Sequence, residues 1–350
     1  MKAINNITCE NYNSLFDAFL KDNRKKFSKL IYDGANVNCV SDLNKSLISM
    51  ILHDRSKKNK AKYFLDILLK NNVSLKQIGT ELPLLTILIT SKNTKCLKKL
   101  LDNNINANYS CSFKVLPHGP SHICNPPIFH AIDMMDDEAI NLLLKYNIDF
   151  EIEDPWGETL INHLIFKYCI EKQYKRLSVI LEKILQLGAD PNKIGVEGSQ
   201  AIHYLASWGE RKYLFDILFK NSNNIDINAK DMFGDTPLTL AAFYNNFPCV
   251  KFLVKKGADL NIAGDDDYTA ITFAAVFDNF EIFNYLLDNG ADLLVIDKEK
   301  NNILHQILNS KEYEKSKHYK YIKKISKLHP KLIKMKNAFG ETPKDIVTNN

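Results

Sequence analysis

Residues Asp231–Gly264 read DMFGDTPLTLAAFYNNFPCVKFLVKKGADLNIAG, and Asp265–Asp297 follow as DDDYTAITFAAVFDNFEIFNYLLDNGADLLVID. The second stretch restates the first. Thr236 and Thr269 lie 33 residues apart, as do Gly257 and Gly290 in the two Gly-Ala-Asp triplets. A fixed period of this length means that short units stack, rather than that one large core is built. Each position has a local physical job. The Thr236 side chain can cap a helix N-terminus, and Pro237 then sits at the first helical position, where its missing N–H costs nothing. Leu238, Ala241 and Ala242 follow at helical spacing, and the alanines are small enough for neighbouring helix pairs to stack closely. A second helix is predicted over Pro248–Lys256, carrying Val250, Phe252, Leu253 and Val254 inward. Gly257 ends it by taking a left-handed conformation. The unit is helix, turn, helix, hairpin.

Outward from this pair, the position of Thr236 has counterparts at Asn13, Lys45, Leu82, Pro126, Thr159, Gln200, Thr269, Asn302 and Thr342. These make nine repeats and a truncated tenth, read as one array over residues 1–350. GANVN at Gly34–Asn38, LGADPN at Leu187–Asn192, and the turns beginning at Asp154 and Asn337 carry the same signals. The pattern resembles the ankyrin repeat, with its Asp-x-x-Gly turn, Thr-Pro-Leu-His motif, paired alanines and Gly-Ala-Asp ending. The resemblance implies an all-α solenoid. It also gives His203 and His305, at the fourth position of the Thr-Pro-Leu-His motif, the task of hydrogen-bonding neighbouring backbone rather than catalysis.

Departures from the period are informative. The repeats anchored at Lys45, Thr159 and Asn302 are lengthened between their two helices by Lys-rich segments around His53–Lys60, Lys167–Arg176 and Ser310–Tyr321. These are expected to protrude as longer helices or loops. A fourth insertion, Tyr109–Cys124, falls between repeats and is expected to overhang the hairpin edge.

Composition narrows the function classes. The chain has 350 residues, 45% hydrophobic and 25% charged, an ordinary globular balance. Its longest apolar stretch, Leu82–Ile89, is far short of the roughly 20 residues of a membrane span, and the polar start shows no signal-peptide hydrophobic region. A cytoplasmic protein, or one secreted into a host cell without a cleaved signal, is the expectation. Seven scattered cysteines point to reduced thiols. The net charge of +5 rests on lysine, because only Arg24, Arg55, Arg176 and Arg211 are arginine. Ten lysines stand between Lys311 and Lys336 against Glu312 and Glu314, and Tyr319, Ile322, Ile325 and Leu328 read as the apolar face of a helix there. The stretch from Asp133 to Glu158 is acidic instead.

No phosphate loop, dinucleotide fingerprint, zinc-protease or nucleophile-elbow motif occurs, and an array that uses the whole chain leaves no room for a catalytic domain. No enzyme activity and no cofactor are expected. Cys111, His118, His122 and Cys124 are of zinc-ligand type, but their spacing matches no familiar module and reads first as loop.

The resemblance implies that hairpin tips and first helices contact a partner protein. There the chain places Trp156, Met232, Phe233, Asp265, Asp266 and Tyr268 at the tips, and Phe166, Trp208, Phe243, Tyr244, Val276 and Phe277 on the first helices. Aromatic side chains in that setting have the composition of an interface hot spot. The acidic tip beside Tyr268 fits a partner offering a basic residue next to an apolar anchor. The chain is read as a non-enzymatic interaction scaffold and a monomer, without nucleic-acid binding and with no membrane contact expected. The alternatives are an enzyme or metal module built on Cys111–Cys124, or membrane-surface attachment through the Lys-rich C-terminal helix. Lys-, Asn- and Ile-rich proteins made of little but ankyrin repeats are similar to effectors that intracellular bacteria deliver into host cells, and similar ones occur in large viruses and protists; an effector role is one that the resemblance implies.

Overall fold

A computed structural model of the chain describes residues 12–38, 46–53, 58–74, 84–108, 125–209, 211–222, 224–265 and 267–349. The described residues form 19 α-helices, and extended backbone pairs as isolated antiparallel bridges such as Ala263 with Thr269 and Ile296 with Asn302. Two compact units comprise residues 1–155 and 156–350. The all-α solenoid expected from the period is what the chain builds.

The first unit contains α1 (Tyr12–Leu20), α2 (Arg24–Tyr32), α3 (Leu47–His53), α4 (Lys58–Lys70), α5 (Leu84–Thr90), α6 (Thr94–Asp102), α7 (Pro127–Asp133) and α8 (Asp137–Leu143). The first helix of each repeat packs on the next first helix, α1 on α3, α3 on α5 and α5 on α7, while α4, α6 and α8 form the second layer. Phe64 fills the seam near the start, meeting Phe19 and Phe27 edge-on at 5.1 and 4.8 Å. All three rings are fully buried.

The second unit contains α9 (Leu160–Ile170), α10 (Tyr174–Gln186), α11 (Ala201–Trp208), α12 (Lys212–Asn221), α13 (Pro237–Phe243), α14 (Phe247–Lys255), α15 (Ala270–Val276), α16 (Phe280–Asp288), α17 (Ile303–Asn309), α18 (Lys315–Leu328) and α19 (Pro343–Asn349). Helices α9, α11, α13, α15, α17 and α19 are the first-helix layer; α10, α12, α14 and α16 stack behind it. Ala241, Ala242, Ala274 and Ala275 are buried completely, as expected for residues chosen for close helix approach. Thr236 accepts from the Thr239 N–H at 3.2 Å, and Pro237 is the first helical residue. Gly257 and Gly290 end their helices at φ of 88° and 93°.

Local details depart from expectation. Helix α14 begins at Phe247, capped by Asn246, one residue ahead of Pro248. At the last repeat the cap is inverted: the Thr342 hydroxyl donates to the Asp345 carboxylate at 2.7 Å, and the Thr342 N–H does the same. The insertions around Lys167–Arg176 and Ser310–Tyr321 are absorbed mainly as helix. Both α9 and α10 are four residues longer than α13 and α14, lengthened about the turn at Glu171–Gln173. Helix α18 reaches 14 residues, followed by a 3-10 turn at Pro330–Lys334. Its buried face is His318, Tyr321 and Ile325, not the row Tyr319, Ile322, Ile325 and Leu328. The reason is local anchoring. The His318 ring bonds the Val276 carbonyl at 2.8 Å, and the Tyr321 hydroxyl donates to Asp278 at 3.0 Å, which fixes the helix rotation. Tyr319 and Leu328 are left exposed. The insertion with Cys111, His118, His122 and Cys124 lies outside the described residues, as does Cys39; Cys96, Cys169 and Cys249 are buried.

Candidate interaction surface

The second unit carries the predicted site residues on two levels, hairpin tips and the first-helix layer. The tip at Met232–Phe233 is built by Asp231, whose Oδ1 accepts the Phe233 and Asp235 N–H groups at 2.9 Å each. Gly234 completes the turn at φ 73°. Adjacent tips are tied by backbone: the Met232 N–H donates to the Glu197 carbonyl at 2.9 Å, and the Asp265 N–H to the Phe233 carbonyl at 2.8 Å. Trp156 and Met232 are 60% and 61% exposed on these tips, and Phe233 and Asp265 are exposed beside them. Asp266 lies outside the described residues.

Behind the tips, rings from four successive first helices touch one another. Phe166 of α9 meets Trp208 of α11 edge-on at 5.9 Å, and Trp208 meets Tyr244, which caps α13, at 5.4 Å. Tyr244 meets Phe243 at 4.8 Å, and Phe243 meets Phe277, which caps α15, at 4.7 Å. Phe273 of α15 connects this row to the tip, contacting Phe243 at 5.5 Å and Tyr268 at 5.3 Å. The rings therefore support one another sideways and keep a solvent face: Phe166, Trp208 and Tyr244 are 40%, 37% and 44% exposed. Tyr268 and Phe277 are half-buried. Val276 does not belong to this face; at the last turn of α15 it is buried.

Two rings that the sequence reading passed over complete the row. Phe273 lies four residues before Phe277 on one helical face, a spacing that could have marked it. Tyr204 meets Phe166 at 6.3 Å, and its hydroxyl donates to the buried Glu158 carboxylate. Glu158 also accepts from the Thr159 N–H at 2.8 Å and from Asn162 Nδ2 at 3.0 Å.

The histidines hold this scaffold in place. His203 Nδ1 accepts from the Gln200 N–H at 3.1 Å, so its Nε2–H donates to the Ala229 carbonyl at 3.0 Å. His305 does the same with the Asn302 N–H at 3.2 Å and the Glu341 carbonyl at 3.1 Å. Burial pushes the His203 imidazole below its ordinary value, keeping it neutral and fixed in one tautomer. It positions α11, and with it Trp208. Among the described residues no group of three His, Cys, Asp or Glu is placed to hold a metal ion.

The family model described as "Ankyrin repeats (3 copies)" matches the chain twice, over residues 168–264 and 202–297. An ankyrin repeat protein of Rickettsia felis is 31% identical over 136 residues, which are 38% of this chain and 41% of that protein. The phosphocholine transferase AnkX of Legionella pneumophila is 28% identical over 166 residues, 44% of this chain and 17% of AnkX. The chain thus spans well under half the length of these relatives. Among solved structures, the ankyrin repeat domain of Bcl-3 aligns with a TM-score of 0.51 at 16% identity, covering 64% of this chain and 95% of that domain. That likeness is one of fold.

Proposed function

We propose that this chain, which is an ankyrin-repeat protein, captures a partner protein on the aromatic row of α9, α11, α13 and α15 and the tips in front of it, and carries out no chemistry of its own. The observation that carries the reading is the half-exposed ring row. A soluble face has no need of Phe166, Trp208, Phe243 and Tyr244 in mutual contact, whereas such rings supply large, rigid contact area to an interface. Asp265 at the tip, with Tyr268 leading back to the row through Phe273, fits a partner segment with a basic residue beside an apolar anchor. The similarity to proteins of Rickettsia felis and Legionella pneumophila supports an effector that acts on host proteins.

The test is capture from host-cell lysate with the wild type and with Trp208→Ala and Tyr244→Ala in parallel. A protein held by the wild type should be lost from both variants, at about thirtyfold weaker affinity for a hot-spot ring. Thermal unfolding of the variants should stay close to that of the wild type. Equal capture by all three proteins, or variants that unfold, removes this assignment of the face.

A further inference from the structure

A second surface, independent of the aromatic row, lies on α18. Within this helix six lysines stand without one acidic residue. Lys320, Lys323 and Lys327 recur at spacings of three and four and so share one face, opposite the buried His318, Tyr321 and Ile325. Lys331 and Lys334, both exposed, continue the run into the 3-10 turn. Lys320 is partly neutralised by Asp278 at 2.8 Å. Elsewhere on the outer layer lysines are paired: Lys212 with Asp216 on α12, and Lys220 with Glu182 of α10.

The rotation of α18 adds the second observation. Because His318 and Tyr321 take the inward positions, Tyr319 and Leu328 flank the lysine face in solvent at 59% and 49% exposure. We propose that this face docks the protein on a membrane leaflet rich in anionic lipid, the lysines meeting the headgroups and Tyr319 and Leu328 resting at headgroup depth. Clustered lysine is drawn to an anionic surface as a set of point charges and needs no directional partner. Nucleic acid is the poorer fit, since α18 offers neither an arginine fork for base edges nor a ring row for stacking bases. With its apolar side committed to the protein core, the helix attaches without inserting, so binding must be sensitive to salt.

The experiment is co-sedimentation of the full chain with vesicles of phosphatidylcholine alone or with about 30% phosphatidylserine, at low and at high salt. The expected result is binding only to the anionic vesicles, lost at high salt. At roughly fivefold per lysine, Lys323→Gln/Lys327→Gln/Lys331→Gln should bind about a hundredfold more weakly. The arginine triple at the same positions should retain binding. The control Lys251→Gln/Lys255→Gln/Lys256→Gln on α14 changes net charge equally and should also retain it. The proposal is overturned if the wild type does not sediment with anionic vesicles, if the α14 control loses as much as the α18 variant, or if duplex DNA binds as tightly as the vesicles. Melting curves of each variant separate lost binding from lost folding, since all the substituted side chains are exposed.

Discussion

At the residue scale, two glycines do a job that the repeat pattern does not announce. Gly195 and Gly264 stand five residues before the first-helix caps Gln200 and Thr269, where the other tips of the unit carry Asp231, Asp297 and Asn337. A Cβ at Gly264 would come within 2.6 Å of Asp235 Oδ1, and one at Gly195 would strike the Glu158 carboxylate. The preceding repeat's carboxylate occupies the space that glycine leaves. Gly264→Ala should therefore destabilise the protein by about 1–3 kcal/mol in urea unfolding, as overpacking does. Adding Asp235→Ala should recover part of that loss; no recovery would show that the cost lies in the backbone instead. His203 makes the second prediction. Its folded-state value is depressed by burial, so the unfolded chain binds the proton first and stability falls with pH. The loss should begin near pH 6.5, the ordinary value, and continue until pH passes below the folded-state value. Burial pushes His130 the same way, so His203→Asn should be less stable at neutral pH and show a flatter, not a flat, acid slope. An unchanged slope would mean that His203 is not the group that titrates.

Asparagine side chains join elements of successive repeats beside the apolar seam. Asn246 caps α14 by accepting the Cys249 N–H at 3.2 Å, and its Nδ2 donates to the Ala206 carbonyl of the previous first helix at 2.9 Å. Asn279 repeats the inter-repeat bond to Ala242 at 2.9 Å. Asn246 is buried, so Asn246→Ala loses a cap and strands a buried carbonyl. A cost of about 2 kcal/mol is expected by chemical denaturation. Asn246→Asp, which keeps the cap and loses the donor, should fall between the two. What was legible in the sequence follows the same division. Caps and helix-ending glycines were readable because each acts within its own repeat, and the motif histidines because one ring nitrogen bonds the cap three residues back. The rotation of α18 was not readable, since it is decided by Val276 and Asp278 in another repeat. Nor was the burial of Val276, which lies at the end of a short helix beside exposed rings. The tip and first-helix aromatics were found from position alone, but their arrangement as one row, with Phe273 and Tyr204 as links, needed the packed helices.

At the scale of the molecule, both tryptophans, Trp156 and Trp208, lie in the unit of residues 156–350, and both belong to the candidate face. Intrinsic tryptophan fluorescence therefore reports that unit alone, whereas far-UV circular dichroism reports helices of both. In a stack where each repeat touches only its neighbours, stability is a sum of local terms, and regions that pack differently need not unfold together. The second unit has lengthened helices in the pair α9 and α10, tips tied to one another by backbone hydrogen bonds, and a ring row crossing four repeats. These couple its repeats to one another beyond the ordinary seam. Urea unfolding followed by fluorescence should accordingly give one sharp transition at higher denaturant than the midpoint seen by circular dichroism, whose curve should be broader and begin earlier. Trp208→Phe, which keeps a ring in the row, should preserve the fluorescence midpoint reported by Trp156, while Trp208→Ala should lower it by at most about 1 kcal/mol if the ring serves binding rather than core packing. Superposition of the two curves would show that the chain unfolds as one cooperative body, and that the ring row gives the second unit no separate stability.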